Sequence, residues 1–426
     1  MEGNWNDHDT GGVMNVLISG AGVAGPVLAY WLCRYGFSVT VVERAPTILK
    51  AGGHAVDLFA PAMDIVERMG LLESVQERQT GTELFTVFRE GRTRPVTIDL
   101  RALMAAISRR HVEIMRDDLR EILHGATRDD VEYLFGDSVA AVSIDGKVRF
   151  EGGATRRFDL IVGADGLHST VRRLVFGPES VYTLWLGGYI AVASVDNTYD
   201  LRNSMLGITG VNRLVGVYSA RHMADARAFF LFRPPAPLHY DRHDLPSQKH
   251  LLRAQFADLG GEVPKLLDQV DRSSSLYFDS ITQLRMGSWS SGRVTLVGDA
   301  GYCPGPAVGG STSLAVVGAY SLAGELALAG GDHRVAYPGY EQAMSTYVQR
   351  SRAFAITMAR RLVPTNRAQA WAMTTGVKLI TSLPAPVMHA ISRRGTRLGL
   401  HDSFTPRDYP SLIGLPRGDA GVQPQE

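Results

Sequence analysis

The sequence predicts an α/β fold in which a parallel sheet is interrupted by a second, mostly antiparallel region. Three observations support this prediction. An apolar run at 16–19 leads through a glycine-rich turn into a helical run at 23–35. Two later apolar runs, 158–162 and 294–297, are typical of buried parallel strands, and each is followed by glycine. Between these runs, the composition of 181–286 changes to strand-like segments followed by two helical stretches.

The turn after the first strand has the spacing G-x-G-x-x-G and consists of Gly20-Ala21-Gly22-Val23-Ala24-Gly25. The first glycine permits a tight turn, the second leaves room for a pyrophosphate, and the third lets the helix pack closely on the strand. The second apolar strand, 39–42, ends at Glu43, where an acidic side chain can accept hydrogen bonds from a ribose. The pattern predicts a Rossmann-like dinucleotide site, and a purely structural turn is the alternative.

Shorter elements follow this first β-α-β unit. We expect a helix at 61–70 and strands at 83–88 and 95–99, the two strands being a short excursion into the second domain. The segment 131–150 is typical of a β-meander with Asp145-Gly146 as a hairpin turn.

The predicted domain organisation is discontinuous, because the second region interrupts the first. The first domain comprises 14–80, 101–180 and 287–335, and the inserted β-sheet domain comprises 81–100 and 181–286. A long apolar helix near 312–329 precedes C-terminal helices expected at 336–402. Residues 1–13 are expected to be a disordered extension, and 403–426 a loosely held tail.

Composition argues against several classes of protein. Among 426 residues, 44 Lys and Arg nearly balance 43 Asp and Glu, so charge gives no reason to expect a nucleic-acid partner. Cys33 and Cys303 lie far apart, which argues against a disulfide framework or a metal site and favours the cytoplasm. The apolar segments 313–330 and 368–391 contain charged residues, so we expect no stable membrane association. The oligomeric state stays open.

Two more glycine–aspartate turns end predicted strands and open into helices. The first is Gly163-Ala164-Asp165-Gly166, and the second is Gly298-Asp299-Ala300, which continues through Pro306 to Gly309-Gly310-Ser311. An aspartate at the carboxyl end of a strand can accept hydrogen bonds from sugar or ribityl hydroxyls. The alternative is that each aspartate only caps a helix.

In the order of these motifs, about 14–329 resembles the single-component FAD-dependent aromatic hydroxylases of the para-hydroxybenzoate hydroxylase type, the class A flavoprotein monooxygenases. The stretches Gly52-Gly53-His54-Ala55-Val56-Asp57 and Arg116-Asp117-Asp118-Leu119-Arg120 are similar to those of tetracycline-inactivating and polyketide-modifying members. The resemblance implies a glutathione-reductase-type FAD domain with an inserted substrate domain. It also implies FAD as cofactor, NADPH or NADH as transient reductant, and O2. The implied activity is hydroxylation of a small aromatic or polyketide-like substrate, tetracyclines included, through a flavin C4a-hydroperoxide.

The resemblance also assigns roles to residues. Glu43 would bind the adenosine ribose, Arg120 the flavin or its phosphates, and Asp299 the ribityl chain. The implied cofactor-binding residues are Gly20, Gly22, Ala24, Gly25, Glu43, Arg44, Arg120, Asp165, Asp299, Gly310, Ser311 and Thr312. The implied catalytic residues form the loop beside the flavin and its pocket: Pro306, Gly309, Gly310, Ser311 and Asp57, the last with a turn or cap role as its alternative. No acid or base is assigned.

The sequence departs from the family pattern near this loop. Tyr302 stands where members commonly have histidine, Ser311 stands where they usually have a second glycine, and Thr312-Ser313 replaces a common Leu-Asn pair. These departures affect the prediction of the flavin chemistry more than the prediction of FAD binding. Two alternatives therefore remain: an FAD-dependent reductase or dehydrogenase on the same fold, and a non-catalytic flavin-loaded protein that binds small molecules.

Overall fold

The computed structural model describes residues 13–48, 53–308, 310–382 and 404–409. The extension expected at 1–13, apart from Val13, and the tail expected at 403–426, apart from 404–409, lie outside the described residues. Gly309 and the last part of the expected C-terminal helical region, 383–402, also lie outside them.

Eighteen strands lie within the described residues. In chain order they are β1 (Asn15–Ser19), β2 (Ser38–Glu43), β3 (Ala55–Leu58), β4 (Leu84–Arg89), β5 (Val96–Asp99), β6 (Val112–Met115), β7 (Glu132–Phe135), β8 (Val139–Val142), β9 (Lys147–Phe150), β10 (Thr155–Arg157), β11 (Leu160–Gly163), β12 (Thr183–Asp196), β13 (Ser204–Gly210), β14 (Arg213–Tyr218), β15 (Asp225–Phe232), β16 (Leu276–Leu284), β17 (Ser290–Ser291) and β18 (Val294–Leu296).

Twelve α-helices lie in the same part of the chain. They are α1 (Ala24–Arg34), α2 (Ala60–Arg68), α3 (Leu72–Glu77), α4 (Leu100–Ile107), α5 (Arg116–Gly125), α6 (Thr170–Val175), α7 (Leu245–Phe256), α8 (Val263–Arg272), α9 (Asp299–Tyr302), α10 (Ser311–Leu328), α11 (His333–Leu362) and α12 (Arg367–Thr381).

The first sheet has six strands in the order β17-β18-β11-β1-β2-β7, and the five from β18 to β7 are parallel. Ile18 of β1 is aligned with Val162 of β11 on one side and Val41 of β2 on the other. All three side chains are fully buried, as expected where helices cover both faces of a parallel sheet. The carboxyl ends of β1, β2, β11 and β18 therefore lie along one edge, which contains all three glycine-rich turns.

The predicted meander at 131–150 is wrong in its first strand. Glu132–Phe135 forms β7 and pairs in parallel with β2, while β8, β9 and β10 form the antiparallel meander. Helix α5 precedes β7 and returns the chain to the sheet edge, which is the crossover that parallel pairing requires. Asp145-Gly146 lies in the β8–β9 hairpin as expected, with Gly146 at φ 85°.

The second sheet has seven strands in the order β16-β12-β15-β14-β13-β4-β5. Its pairs are antiparallel except β4 with β13, so the strands expected at 83–88 and 95–99 join the sheet formed by 183–284. Helices α7 and α8 cover one face, where Phe230 packs against Phe256. The opposite face meets α11, α12 and the loop before α10.

Helix α10 is long and apolar enough to cross a membrane by length and composition alone. However, 78% of it is buried inside the protein, where it packs against α1, α2 and α11. It is therefore a core helix, and this burial explains why it is apolar on all sides.

Candidate functional site

The glycines of the first turn differ in what surrounds them. A Cβ on Gly25 would lie 2.0 Å from the Gly20 carbonyl oxygen, and one on Gly20 would lie 2.6 Å from that of Ala164. Gly20 also has φ 109°, which side-chain-bearing residues rarely adopt. A Cβ on Gly22 would meet no atom of the described residues within 4 Å. Gly20 and Gly25 therefore allow close approaches of the backbone that a side chain would prevent. Gly22 faces open space in which a pyrophosphate can lie.

The third turn meets the first. Gly298 has φ 67°, and a Cβ there would lie 3.3 Å from the Cβ atoms of both Ala24 and Ala315. The start of α1 and the first turns of α10 thus converge on the residue before Asp299. Burial raises the pKa of Asp299, and the nearby Arg116 guanidinium opposes that shift.

Both converging helices begin without a side-chain cap among the described residues. The residue before α1 is Val23, and the residue before α10 is Gly310, which has φ 64°. The valine side chain cannot accept a hydrogen bond and glycine has no side chain, so the first N–H groups of each helix have no capping side chain as a partner. These groups and the positive end of the helix dipole favour an anionic ligand at this edge of the sheet.

Glu43 and Arg120 hold the first turn from the side. Oε2 of Glu43 accepts a hydrogen bond from the Ala21 N–H at 2.8 Å, and Oε1 accepts one from Ala45 at 2.9 Å. Nε of Arg120 donates to the Ala21 carbonyl at 3.2 Å. Arg44 is exposed. The Glu43 and Arg120 side chains therefore lie at the first turn, and each uses at least one polar atom to bind the backbone of that turn.

Asp165 caps a helix. Oδ1 accepts a hydrogen bond from Ser169 Oγ at 2.5 Å, and Oδ2 accepts from the Thr170 and Val171 N–H groups at 2.8 and 3.1 Å. Burial raises the pKa of this carboxyl. Helix capping, which was the alternative interpretation of this aspartate, is therefore a role that Asp165 has at the start of α6.

Arg172 connects the second turn to the third. Its side chain is fully buried, and one guanidinium nitrogen donates to the Ala300 carbonyl at 2.9 Å. The other donates to Leu167 at 2.5 Å and to Glu179 at 2.6 Å. The third turn, at the start of α9, is thus fixed by a residue 128 positions before Ala300 in the chain.

The loop between α9 and α10 lies against the second sheet. A Cβ on Gly305 would lie 3.3 Å from Leu186 and 3.6 Å from Ile281. Pro306 is partly exposed, and Ala307 has φ 63°, an uncommon conformation for alanine that indicates local strain. Ser311 and Thr312 form the first turn of α10. Gly309, predicted to be catalytic, lies outside the described residues.

Two departures from the family pattern point away from this loop. Tyr302 is fully buried, its hydroxyl accepts a hydrogen bond from Tyr340 at 3.0 Å, and its ring packs on Trp289. The Ser313 hydroxyl accepts a hydrogen bond from the Phe59 N–H at 2.9 Å and donates to the Asp57 carbonyl at 3.3 Å. Tyr302 therefore fills the core, and Ser313 fixes the β3–α2 junction to α10.

Asp57 belongs to a cluster of titratable groups between β3 and β6. Its Oδ1 lies 2.7 Å from Nε2 of His111, and it is aligned with Glu113 across the strand pair. Glu113 accepts a hydrogen bond from the Thr80 hydroxyl. Burial, and then repulsion from Asp57, raises the pKa of Glu113. His111 and Glu113 are residues that no sequence motif indicated.

Comparison with known families decides the identity of this site. The FAD binding domain family matches residues 13–361, most of the chain. The chain belongs to this family. FAD is therefore the cofactor of this protein. The first glycine-rich turn fits it, because Gly22 leaves open space beside the uncapped start of α1.

Relatives of this FAD-dependent chain share most of its length. A flavin-dependent monooxygenase of Legionella longbeachae is 36% identical over 346 residues, covering 80% of this chain and 88% of the relative. An uncharacterized protein of Mycobacterium tuberculosis is 43% identical over 350 residues, covering 79% of this chain and 91% of the relative. The protein is therefore a flavin-dependent monooxygenase homologue and an FAD-dependent oxidoreductase.

Solved structures are also similar. The crystal structure of tetracycline destructase Tet(51) superposes with a TM-score of 0.76 at 33% identity, covering 90% of this chain and 99% of that one. Klebsiella pneumoniae HpxO complexed with FAD and uric acid gives 0.69 at 21% identity, covering 89% and 96%. The predicted α/β fold with its FAD domain, the family resemblance and the FAD cofactor are confirmed.

Sequence reasoning assigned no role to Arg116. Arg116 lies close enough to Asp299 and His54 to shift both titrations, and burial together with Arg116 lowers the pKa of His54 to about 3. The His54 ring packs on Tyr277 with centroids 4.7 Å apart. Arg116 begins the stretch from which only Arg120 was selected, so the motif itself contained the signal.

Glu113→Gln is expected to stabilise the FAD-loaded protein at pH 8 and to have little effect at pH 5. Since folding raises the pKa of Glu113, this carboxyl ionises at a lower pH in the unfolded chain than in the folded protein. Stability therefore falls as the pH rises above the usual glutamate range, and glutamine removes that loss. We expect a melting temperature about 2 °C higher at pH 8, measured by calorimetry.

Glu132→Gln is the matched control, because hydrogen bonds from Arg156 help to lower the pKa of Glu132. That variant should gain no stability at pH 8. An equal change of melting temperature for Glu113→Gln at both pH values would contradict the assigned shift.

Proposed function

We propose that the protein is a cytoplasmic single-component monooxygenase that uses NADH or NADPH and O2 to hydroxylate a small aromatic or polyketide-like substrate. When bound, FAD would supply the redox chemistry, in which NADH or NADPH and O2 are consumed, one oxygen atom enters the substrate and the other leaves as water. The observation that carries this proposal is the convergence of three glycine turns and two uncapped helix starts beside the second sheet.

The first turn is proposed to hold the adenine half of the cofactor. Gly20 and Gly25 shape the turn, and N–H groups at the start of α1, from Ala24 onward, face the pyrophosphate across the open space at Gly22. Glu43 accepts hydrogen bonds from the ribose with lone pairs that its two backbone contacts leave available. The exposed Arg44 lies beside the adenine or the phosphates.

The third turn is proposed to hold the flavin half. Asp299 accepts hydrogen bonds from the ribityl hydroxyls, and Arg120 contacts the flavin or its phosphates. Arg116 adds positive charge near Asp299. Asp165 acts through its cap on α6, which helps to place Arg172 and thereby the third turn with Asp299.

Pro306, Gly310, Ser311 and Thr312 are proposed to lie beside the flavin ring, and the catalytic role of Gly309, which is outside the described residues, stays a prediction. N–H groups of Gly310, Ser311 and Thr312 at the start of α10 stabilise negative charge on the reduced ring without rearrangement. Val308 and Ile281 pack in one apolar cluster and help to exclude water from the reacting centre. Asp57, held by His111, lines the pocket on the side of β3.

The presence of two separate sheets supports the assignment of cofactor binding and substrate binding to different domains. We assign FAD binding to 14–80, 101–180 and 287–335, which contain the parallel sheet, and substrate binding to 81–100 and 181–286. Tetracycline-type compounds belong among the candidate substrates, because Tet(51), a tetracycline destructase, is 33% identical.

The test follows cofactor use and the fate of oxygen. Purified protein should be yellow and release FAD, and a matching phenol, quinone or tetracycline should accelerate NADPH or NADH oxidation severalfold. Isotopically labelled O2 should enter the product. Substrate turnover without O2 would contradict hydroxylation and favour the reductase, an alternative that Ser311 in the flavin loop supports. Release of all consumed O2 as hydrogen peroxide would also contradict the proposal.

A further inference from the structure

One row of residues crosses the second sheet at a single register. From one side to the other it consists of Tyr277, Val192, Phe229, Gly216, Gly207 and Val87, on β16, β12, β15, β14, β13 and β4. Residues aligned across neighbouring strands project from the same face. The adjacent Phe230 and Phe278 project from the other face, where they pack with α7 and α8. The row therefore lies on the face that meets α11, α12 and the loop between α9 and α10.

The two glycines of the row leave room for two aromatic rings. A Cβ on Gly216 would lie 2.5 Å from ring carbons of Phe229, and one on Gly207 would lie 3.0 Å from the ring of Phe85. Phe85 lies two residues before Val87 on β4, so it shares the same face. The Phe85 and Phe229 ring centroids are 6.4 Å apart. The two rings thus pack close to the sheet over Gly207 and Gly216, which have no side chains.

The rings are partly exposed although they lie inside a sheet that is covered on its other face. Phe229 is half-buried, whereas Ala228 and Phe230 beside it are buried. Val308 of the flavin loop packs into the apolar cluster that Phe229 and Phe85 border. Part of each ring is therefore accessible on the face of the sheet that also meets Val308.

The residues of the row carry no charge, although the Arg116 guanidinium lies near Tyr277. His54, which packs on Tyr277, is neutral because its pKa is lowered to about 3. Arg227, two residues before Phe229, is engaged by the Asp225 carboxylate and the Gly53 carbonyl. The row therefore offers a ligand apolar and aromatic surface rather than charge.

We propose that Phe85 and Phe229, placed by Gly207 and Gly216, are specificity-determining residues that contact the flat face of an aromatic substrate. This inference rests on the proposed function, which puts the substrate between the flavin loop and the second sheet. Aromatic rings with centroids 4.5–7 Å apart attract each other beyond simple burial. A saturated ring with out-of-plane hydrogens loses that contact, so planarity is what the pair selects.

The test measures binding to the FAD-loaded protein. The probes are 2-naphthol and its saturated analogue decahydro-2-naphthol, and equilibrium dialysis measures Kd without turnover. Wild-type protein should bind 2-naphthol more tightly than the saturated analogue. Phe229→Leu should weaken 2-naphthol binding about 2- to 12-fold, the loss expected for one aromatic pair, and should leave the analogue unaffected.

Phe278→Leu is the matched control, because the same change falls on the opposite face of the same sheet. Its Kd for 2-naphthol should match the wild type. Gly216→Ala and Phe85→Leu provide second variants, should Phe229→Leu fold poorly. The alanine displaces the Phe229 ring and should also weaken 2-naphthol binding.

Each outcome separates this inference from the proposed function. Equal Kd values for Phe229→Leu and wild type, tighter binding of the saturated analogue, or no 2-naphthol binding would overturn the role of the rings while FAD content and NADPH oxidation stay intact. Protein that takes up no FAD would instead contradict the proposed function. Selective loss of 2-naphthol binding with retained FAD supports the inference.

Discussion

Gly25→Ala is expected to reduce FAD affinity about a hundredfold, so that the variant purifies largely colourless. The new Cβ would lie 2.0 Å from the Gly20 carbonyl oxygen, a backbone atom that cannot rotate away. Helix α1 must therefore shift away from β1, and the N–H groups at its start lose their alignment with the pyrophosphate. Losing two hydrogen bonds to a charged group, each worth about 1.5–3 kcal/mol, accounts for the size of the effect.

The variant Gly22→Ala separates cofactor contact from folding. A Cβ there meets no atom of the described residues within 4 Å, so we expect an unchanged fold and melting temperature in the FAD-free protein. FAD affinity should nevertheless fall, because the methyl group enters the space assigned to the pyrophosphate. FAD titration monitored by flavin fluorescence measures both variants, with Gly260→Ala, at another glycine with open surroundings, as control. Unchanged affinity in Gly22→Ala would contradict the assigned phosphate position.

These glycines were predictable because their roles are local. The spacing of Gly20, Gly22 and Gly25 encodes a turn whose geometry depends on the absence of side chains, and the neighbouring strand and helix gave its context. Strand β7 was misplaced for the complementary reason. Its pairing with β2 depends on the path of α5, and a four-residue run contains no information about its partner.

The contacts that tie the site together were not predictable from spacing. Asp57 pairs with His111, 54 residues away, and the Gly216–Phe229 contact arises from strand alignment. The sequence alone assigns no role to Gly207 and Gly216, and only the strand register places them side by side. Such relations are properties of the assembled sheets, where packing and register decide which side chains meet.

Arg172→Met is expected to destabilise the protein by about 3 kcal/mol and to weaken FAD retention as well. Arg172 is fully buried and donates hydrogen bonds to Ala300, Leu167 and Glu179. Methionine fills part of the volume but leaves two carbonyls without these donors and removes the charge that faces Glu179. Removing one partner from such a buried network costs about 3–5 kcal/mol, and the partial exposure of Glu179 places this case at the lower end.

Urea unfolding of the FAD-free protein measures the stability change, and FAD titration measures the functional one. Arg173→Met is the control, since Arg173 is exposed on the same helix and should change neither quantity appreciably. Arg172→Lys keeps the positive charge but not the fork that reaches in two directions, so it should recover only part of the stability. Because Ala300 follows Asp299 directly at the start of α9, loss of this contact should loosen the third turn and lower FAD affinity. A variant that is destabilised but binds FAD as tightly as the wild type would show that the third turn keeps its position without Arg172, and it would restrict this arginine to a structural role.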